Sequence, residues 1–260
     1  MKVWLALLIS WMLLMSTNCV PTRVVYEPFK TGREEFFAKV KVIALAPVSV
    51  PEGLENAEKV KTKYEELIAR TLHERGFTVV LSGEFDKVYK KTIEQMGGVY
   101  DPMTGKFDNV KGNAVGSHVF RELQRVVHSD AVLIPKVVVL SVRHFNGLAK
   151  WDGVTESIGG GQISGALDWF WATSRYGGVS GSMNALSLVV IIDDMNAVTM
   201  YANAGGIQLL GRYSGIEFEP IPQAEILSSE DRYQISTELA LGALVNKTQP
   251  ARDTKADSKK

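Results

Sequence analysis

One cysteine and four histidines are all that 260 residues contain of those types. No internal disulfide can form, and the soft ligands are too few for a cysteine or histidine metal cluster. A surplus of charge is missing as well, since 29 Lys and Arg stand against 29 Asp and Glu. A general nucleic-acid binder needs excess Lys and Arg to release counterions from phosphate, so that class is excluded. Nor is there an apolar run of roughly 20 residues, the helical length that crosses a hydrocarbon layer of about 30 Å. What is present, 45% hydrophobic and 22% charged residues, is the composition of an ordinary globular protein. At 28.6 kDa the chain can bury one large core or two small ones.

Met1 and Lys2 make a positive head, followed by 13 uncharged residues, 3–15 (Val-Trp-Leu-Ala-Leu-Leu-Ile-Ser-Trp-Met-Leu-Leu-Met). That length fits the apolar region of a secretory signal. Ser16, Thr17 and Asn18 then lead directly to Cys19, the single cysteine. Here the sequence resembles a bacterial lipoprotein signal, in which the Cys after the cut is acylated and becomes the new first residue. Asn18 stands where such signals usually carry Gly, Ala or Ser. The same residues also fit an ordinary cleaved signal with an incidental Cys, or a retained anchor. The lipoprotein resemblance implies several acyl chains on Cys19, and at about 0.8 kcal/mol per buried methylene two or more hold a protein on a membrane durably. Val20 in place of Asp implies delivery to the outer membrane.

Residues 1–18 are therefore read as a signal and 19–37 as a tether that mixes Pro21, Pro28 and Gly32 with Phe29, Phe36 and Phe37 and begins to dock onto the domain. Residues 246–260 have almost no apolar side chain, cannot offset the entropy of ordering, and are expected to be a disordered tail. Between these ends, 38–245 alternates strand and helix patterns. Residues 40–50 form a β-rich run closed by Pro51 and Gly53. Residues 55–75 place Val60, Tyr64, Leu67, Ile68, Thr71 and Leu72 on one helical face and stop at Gly76. A strand over 77–81 follows, and Ser82 is expected to cap a helix from about 84 to 96. After a turn-rich loop come a helix over 113–128 and a long strand over 131–145. Strands 185–192 and 198–210 flank Asp193-Asp194-Met195-Asn196-Ala197, a hairpin turn, and 229–245 forms the last helix. The order predicts an α/β (α+β) fold, one mixed β-sheet with packed helices, interrupted by a Gly- and Trp-rich insertion over 146–182.

This succession resembles the envelope-lipoprotein fold shared by the curli-secretion lipoprotein, the periplasmic activators of peptidoglycan synthases and the amino-terminal domain of the Tol system translocation protein B, an anticodon-binding-like architecture. The resemblance is carried by Val42-Ile-Ala-Leu-Ala-Pro47, Arg70-Thr-Leu-His-Glu-Arg-Gly-Phe77, His128-Ser-Asp-Ala-Val-Leu-Ile134 and Leu186-Ser-Leu-Val-Val-Ile-Ile-Asp193. Asn196-Ala197 replaces the Thr-Gly turn usual in that group. The resemblance implies protein binding and assembly at the envelope, and it carries over no catalytic residue.

Motifs that could bear chemistry each have a plainer explanation. Gly159-Gly-Gly-Gln-Ile-Ser-Gly165 lacks the Lys-Ser/Thr pair of a phosphate loop and is expected not to lead from a clear strand into a capped helix. Gly177-Gly-Val-Ser-Gly181 holds its Ser out of register for a nucleophile elbow. His118 and Glu122 have metal-compatible helical spacing without a second ligand-bearing element. Asp101 and Asp108 flank a turn, and Asp193 and Asp194 sit at a hairpin. No cofactor or metal is expected. The insertion departs most from core-building, since nine glycines accompany Trp151, Trp169, Phe170, Trp171 and Tyr176. These five aromatics are either a segment folded onto the sheet or contacts to a partner or membrane. The expectation is a non-enzymatic outer-membrane lipoprotein facing the periplasm, assembling with envelope proteins or itself. The alternatives are a secretion-pore subunit, or a periplasmic small-ligand-binding protein or enzyme.

Overall fold

The computed structural model describes residues 26–101, 103–215 and 217–245. The expected signal, Cys19, the tether up to residue 25 and the tail at 246–260 lie outside the described residues. In chain order the elements are α1 (Arg33–Lys39), β1 (Val42–Leu45), α2 (Ala57–Glu74), β2 (Thr78–Val80), α3 (Ser82–Gln95), α4 (Asn109–Val127), β3 (Ala131–Phe145), β4 (Leu148–Trp151) and β5 (Val154–Ser157). They continue with α5 (Ala166–Tyr176), β6 (Gly181–Asp194), β7 (Thr199–Leu209), β8 (Gly211–Tyr213), β9 (Phe218–Pro220), a 3-10 turn at Gln223–Glu225 and α6 (Glu230–Leu241).

A seven-stranded mixed sheet organises the chain, with β8 and β9 as a separate pair. β1 runs parallel to both β2 and β3, which takes crossover connections through helices. β3 then pairs antiparallel with β6 along almost its whole length, from Ala131 opposite Asp194 to His144 opposite Gly181, and β6 pairs with β7. Alternating side chains divide the interior between the two faces. Ile43, Leu45 and Leu133 join Tyr64, Ile68 and Leu72 of α2 and Tyr233 and Leu241 of α6. Ala44 and Val132 point the other way, into Val115, Val119 and Leu123 of α4. At the far end of β3, Val142 packs with Met183, Ala185, Trp151 and Ile158 in a third cluster. The fold is thus the expected mixed α/β class. Among the described residues no helix is long and apolar enough to cross a membrane.

Several boundaries differ from expectation. The domain begins before residue 38: Phe29 and Phe36 are buried, their rings 5.4 Å apart edge to face, and Ala202 and Lys30 N–H groups bond the Pro28 and Met200 carbonyls along the β7 edge. Phe37 packs half-buried against the same cluster, so the expected docking of the tether takes in its residues from Phe29 on. β1 covers four residues because Pro47 has no N–H to continue the ladder, although Ser49 rejoins β3 through a single bridge to Lys136. Ser82 is the first helical residue rather than the cap; its hydroxyl donates to Glu65 Oε1 at 2.6 Å. α4 starts four residues early because Asp108 caps it, accepting the N–H groups of Val110 and Lys111. Residues 146–157 belong to the sheet, since β4 pairs with the end of β3 and β5 with β4.

Candidate functional site

Of the five aromatics expected to form a contact surface, the structure removes Trp151 and half-buries Tyr176. Trp151 ends β4 inside the third cluster, 7% exposed, with its indole N–H donating to the Leu186 carbonyl at 3.3 Å. A ring held there packs the β4–β5 hairpin against β6 and is not available to a partner. Tyr176 lies at the end of α5, its hydroxyl donating to the Tyr213 carbonyl at 3.4 Å. A Cβ at Gly159 would stand 2.1 Å from that oxygen, and one at Gly147 2.4 Å from Tyr176 Cβ. Tyr176 therefore wedges between two backbone segments that must be glycine, and it fixes α5 to the body.

The other three aromatics stand on α5 together with Leu167, and all are open to solvent: Leu167 74%, Trp169 53%, Phe170 54% and Trp171 68% exposed. Only Ala172 of the helix is buried. At 100° per residue, Leu167, Phe170, Trp171 and Ser174 share one face. Phe170 and Trp171 meet edge to face at 5.6 Å. An amphipathic helix normally turns its wide apolar stripe inward; α5 turns its stripe out. Its first turn is fixed by Asp168, which accepts the hydroxyl and the N–H of Ser164 at 2.8 and 3.1 Å. Those donors hold the Asp168 carboxyl below the ordinary range.

Between α5 and the turn at residues 159–161 lies a cleft of about 350 Å³. Gln162, Asp168, Trp171, Arg175 and Tyr176 line it. The Arg175 guanidinium sits over the Tyr176 ring, 5.5 Å from its centroid. The glycine run at 159–165 does follow a strand, β5, and precede a helix, α5, but Gly165 at the helix start offers no side-chain cap. It still lacks a following Lys, and the helix start already holds the Asp168 carboxylate.

The remaining candidates serve structure. Glu122 pairs with Arg125 at 2.8 Å, which holds its carboxyl low, and His118 is half-buried on the same helix. Asp101 accepts the N–H groups of Met103 and Thr104. Asp193 accepts the Thr199 hydroxyl, and Asp194 accepts the N–H groups of Asn196 and Val198 to close the β6–β7 turn. Among the described residues no three His, Cys, Asp or Glu side chains gather as a metal site would require. Sequence reasoning missed Gln162 and Arg175, polar residues whose shared cleft depends on how α5 is docked.

No protein-family model matches the chain, and no curated protein matches it. Among solved structures, a lipoprotein of Neisseria meningitidis is similar to this chain at 16% identity, over 64% of this chain and 81% of that one, with a TM-score of 0.29. A likeness that loose adds nothing to the fold described above.

Proposed function

We propose that this chain is a non-enzymatic lipoprotein of the bacterial envelope. In this reading acylated Cys19 holds it on the periplasmic face of the outer membrane, and α5 acts as its assembly surface. The observation that carries the interaction role is the outward stripe of Leu167, Phe170 and Trp171, with Trp169 beside it, on a helix that buries one residue. Clustered exposed aromatics of this kind are what a partner covers in the centre of an interface. The anchor rests on the residues before Cys19. Tyr26 lies seven positions after Cys19, a stretch of at most about 25 Å, so an acylated chain would hold the domain close to the bilayer. The acidic residues weighed as ligands serve turns, caps and pairs, which supports binding over catalysis.

Two measurements test this. Cys19→Ala should move the protein out of the membrane fraction, and unchanged fractionation counts against the anchor. Replacing Trp169, Phe170 and Trp171 together by Ala should abolish crosslinked complexes in the envelope while circular dichroism and cooperative unfolding persist. Complexes that survive the triple replacement count against α5 as the assembly surface.

A further inference from the structure

The cleft beside α5 has a chemistry different from the outward stripe. Leu167 and Phe170 do not line it, whereas Trp171 borders both. Two rings, Trp171 and Tyr176, share the cleft's lining with planar polar groups: the Gln162 amide, the Asp168 carboxylate and the Arg175 guanidinium. We propose that this cleft binds a neutral saccharide of one or two pyranose rings. A pyranose presents an apolar face of C–H groups and a rim of hydroxyls that both donate and accept. An exposed indole matches the face, and planar side chains with adjacent donors or acceptors match the rim.

Charge, size and rigidity agree on that class. One carboxylate and one guanidinium balance each other, so the lining favours neither a phosphate nor an ammonium ligand. At about 350 Å³ the cleft is at the small end of ligand sites, with room for a short sugar and not for a long chain. Its floor is set before any ligand arrives: the Tyr176 hydroxyl donates to the Tyr213 carbonyl, and the phenol fills the space a Gly159 side chain would take. Both hydrogen bonds from Ser164 go to Asp168 Oδ2, which fixes the carboxylate's orientation beside the cleft. A preformed site loses little on ordering. The inference goes beyond the anchoring and assembly reading and does not depend on it.

The test titrates the full chain carrying Cys19→Ala with N,N′-diacetylchitobiose and, separately, maltose. Binding is followed by tryptophan fluorescence and by saturation-transfer NMR of the sugar. At least one sugar should give a saturable signal in the millimolar range. Trp171→Ala and Gln162→Ala should each weaken it by about tenfold, the loss of one good contact. Phe170→Ala, on the outward stripe, should leave it unchanged. Both replaced side chains are solvent-facing enough to keep the fold, which a thermal midpoint verifies. Failure of both sugars to saturate, or equal weakening by Phe170→Ala and Trp171→Ala, overturns the proposal.

Discussion

Nη1 of Arg232 on α6 lies 2.6 Å from Oε1 of Glu156 on β5, and the Glu156 side chain is 3% exposed. The same nitrogen donates to the Ile207 carbonyl at 2.9 Å, while the Leu209 N–H donates to Glu156 Oε2 at 2.8 Å. Two residues 76 positions apart thus tie the β4–β5 hairpin to both β7 and the last helix. Removing one partner of such a pair leaves a buried charge uncompensated. Arg232→Met should lower unfolding stability by about 3–5 kcal/mol, measured by urea denaturation. The double change Glu156→Leu with Arg232→Leu should recover most of it, because the desolvated charge is then gone too. A single change no worse than the double would disprove the coupling.

Ala197 occupies the left-handed region, φ 61, in the turn between β6 and β7. An L side chain in that conformation costs about 1–2 kcal/mol, and the extra freedom of glycine in the unfolded chain costs about 0.5–1 kcal/mol. The difference favours glycine. Ala197→Gly should raise stability by up to about 1 kcal/mol, and Ala197→Val should lower it, since a β-branched residue tolerates this region worst. Thermal midpoints of the two variants should fall on opposite sides of the parent.

Much of the scaffold was legible because burial there is one-sided. All six residues assigned to the inner face of α2 are buried, and β3 spans the residues its apolar run and Asp130 delimit. Residues 146–157 form sheet strands where an insertion is expected, although the signals for hairpins are present in the sequence. Asn146-Gly147 and Asp152-Gly153 are both two-residue pairs with positive φ at each position, 49 and 77, then 36 and 85. Such pairs mark tight hairpins, and Trp151 sits opposite Val154 across the second. What no local pattern could give is the partner surface: a Cβ at Gly206 would lie 2.3 Å from Val154, a close approach visible only in the folded chain. On α5 the limit is of another kind. Spacing reveals an apolar stripe but not whether the domain or something else covers it.

Gly159 is where the outward helix depends on a missing side chain. With Tyr176 Oη where a Cβ would go, Gly159→Ala must displace the phenol. The Cβ has no compressible neighbour there, since the contact is with a ring lodged against the Tyr213 carbonyl. The expected outcome is loosening of α5 with the sheet intact. Hydrogen exchange should accelerate at residues 166–176 and stay slow in β3 and β6. Equal acceleration throughout would show that α5 is part of the cooperative core rather than an appended surface.

Alkaline pH should unfold the protein through its buried phenols. Tyr201 donates its hydroxyl to the Ala240 carbonyl at 2.6 Å, and burial pushes its pKa up to about 12. Tyr64, hydrogen-bonded to Ser236, is pushed up by burial as well. In the unfolded chain a tyrosine titrates near 10. The folded state therefore holds these protons more tightly, so its stability is complete below pH 10 and is lost as pH rises from about 10 toward 12. For Tyr201 the loss is on the order of 3 kcal/mol. Urea midpoints should be flat from pH 8 to about 9.5 and then fall. Tyr201→Phe, which has no proton to lose, should make that fall shallower even though it starts from a lower stability at pH 8. A variant whose midpoint drops as steeply as the parent's above pH 10 would show that the buried phenols do not drive the transition.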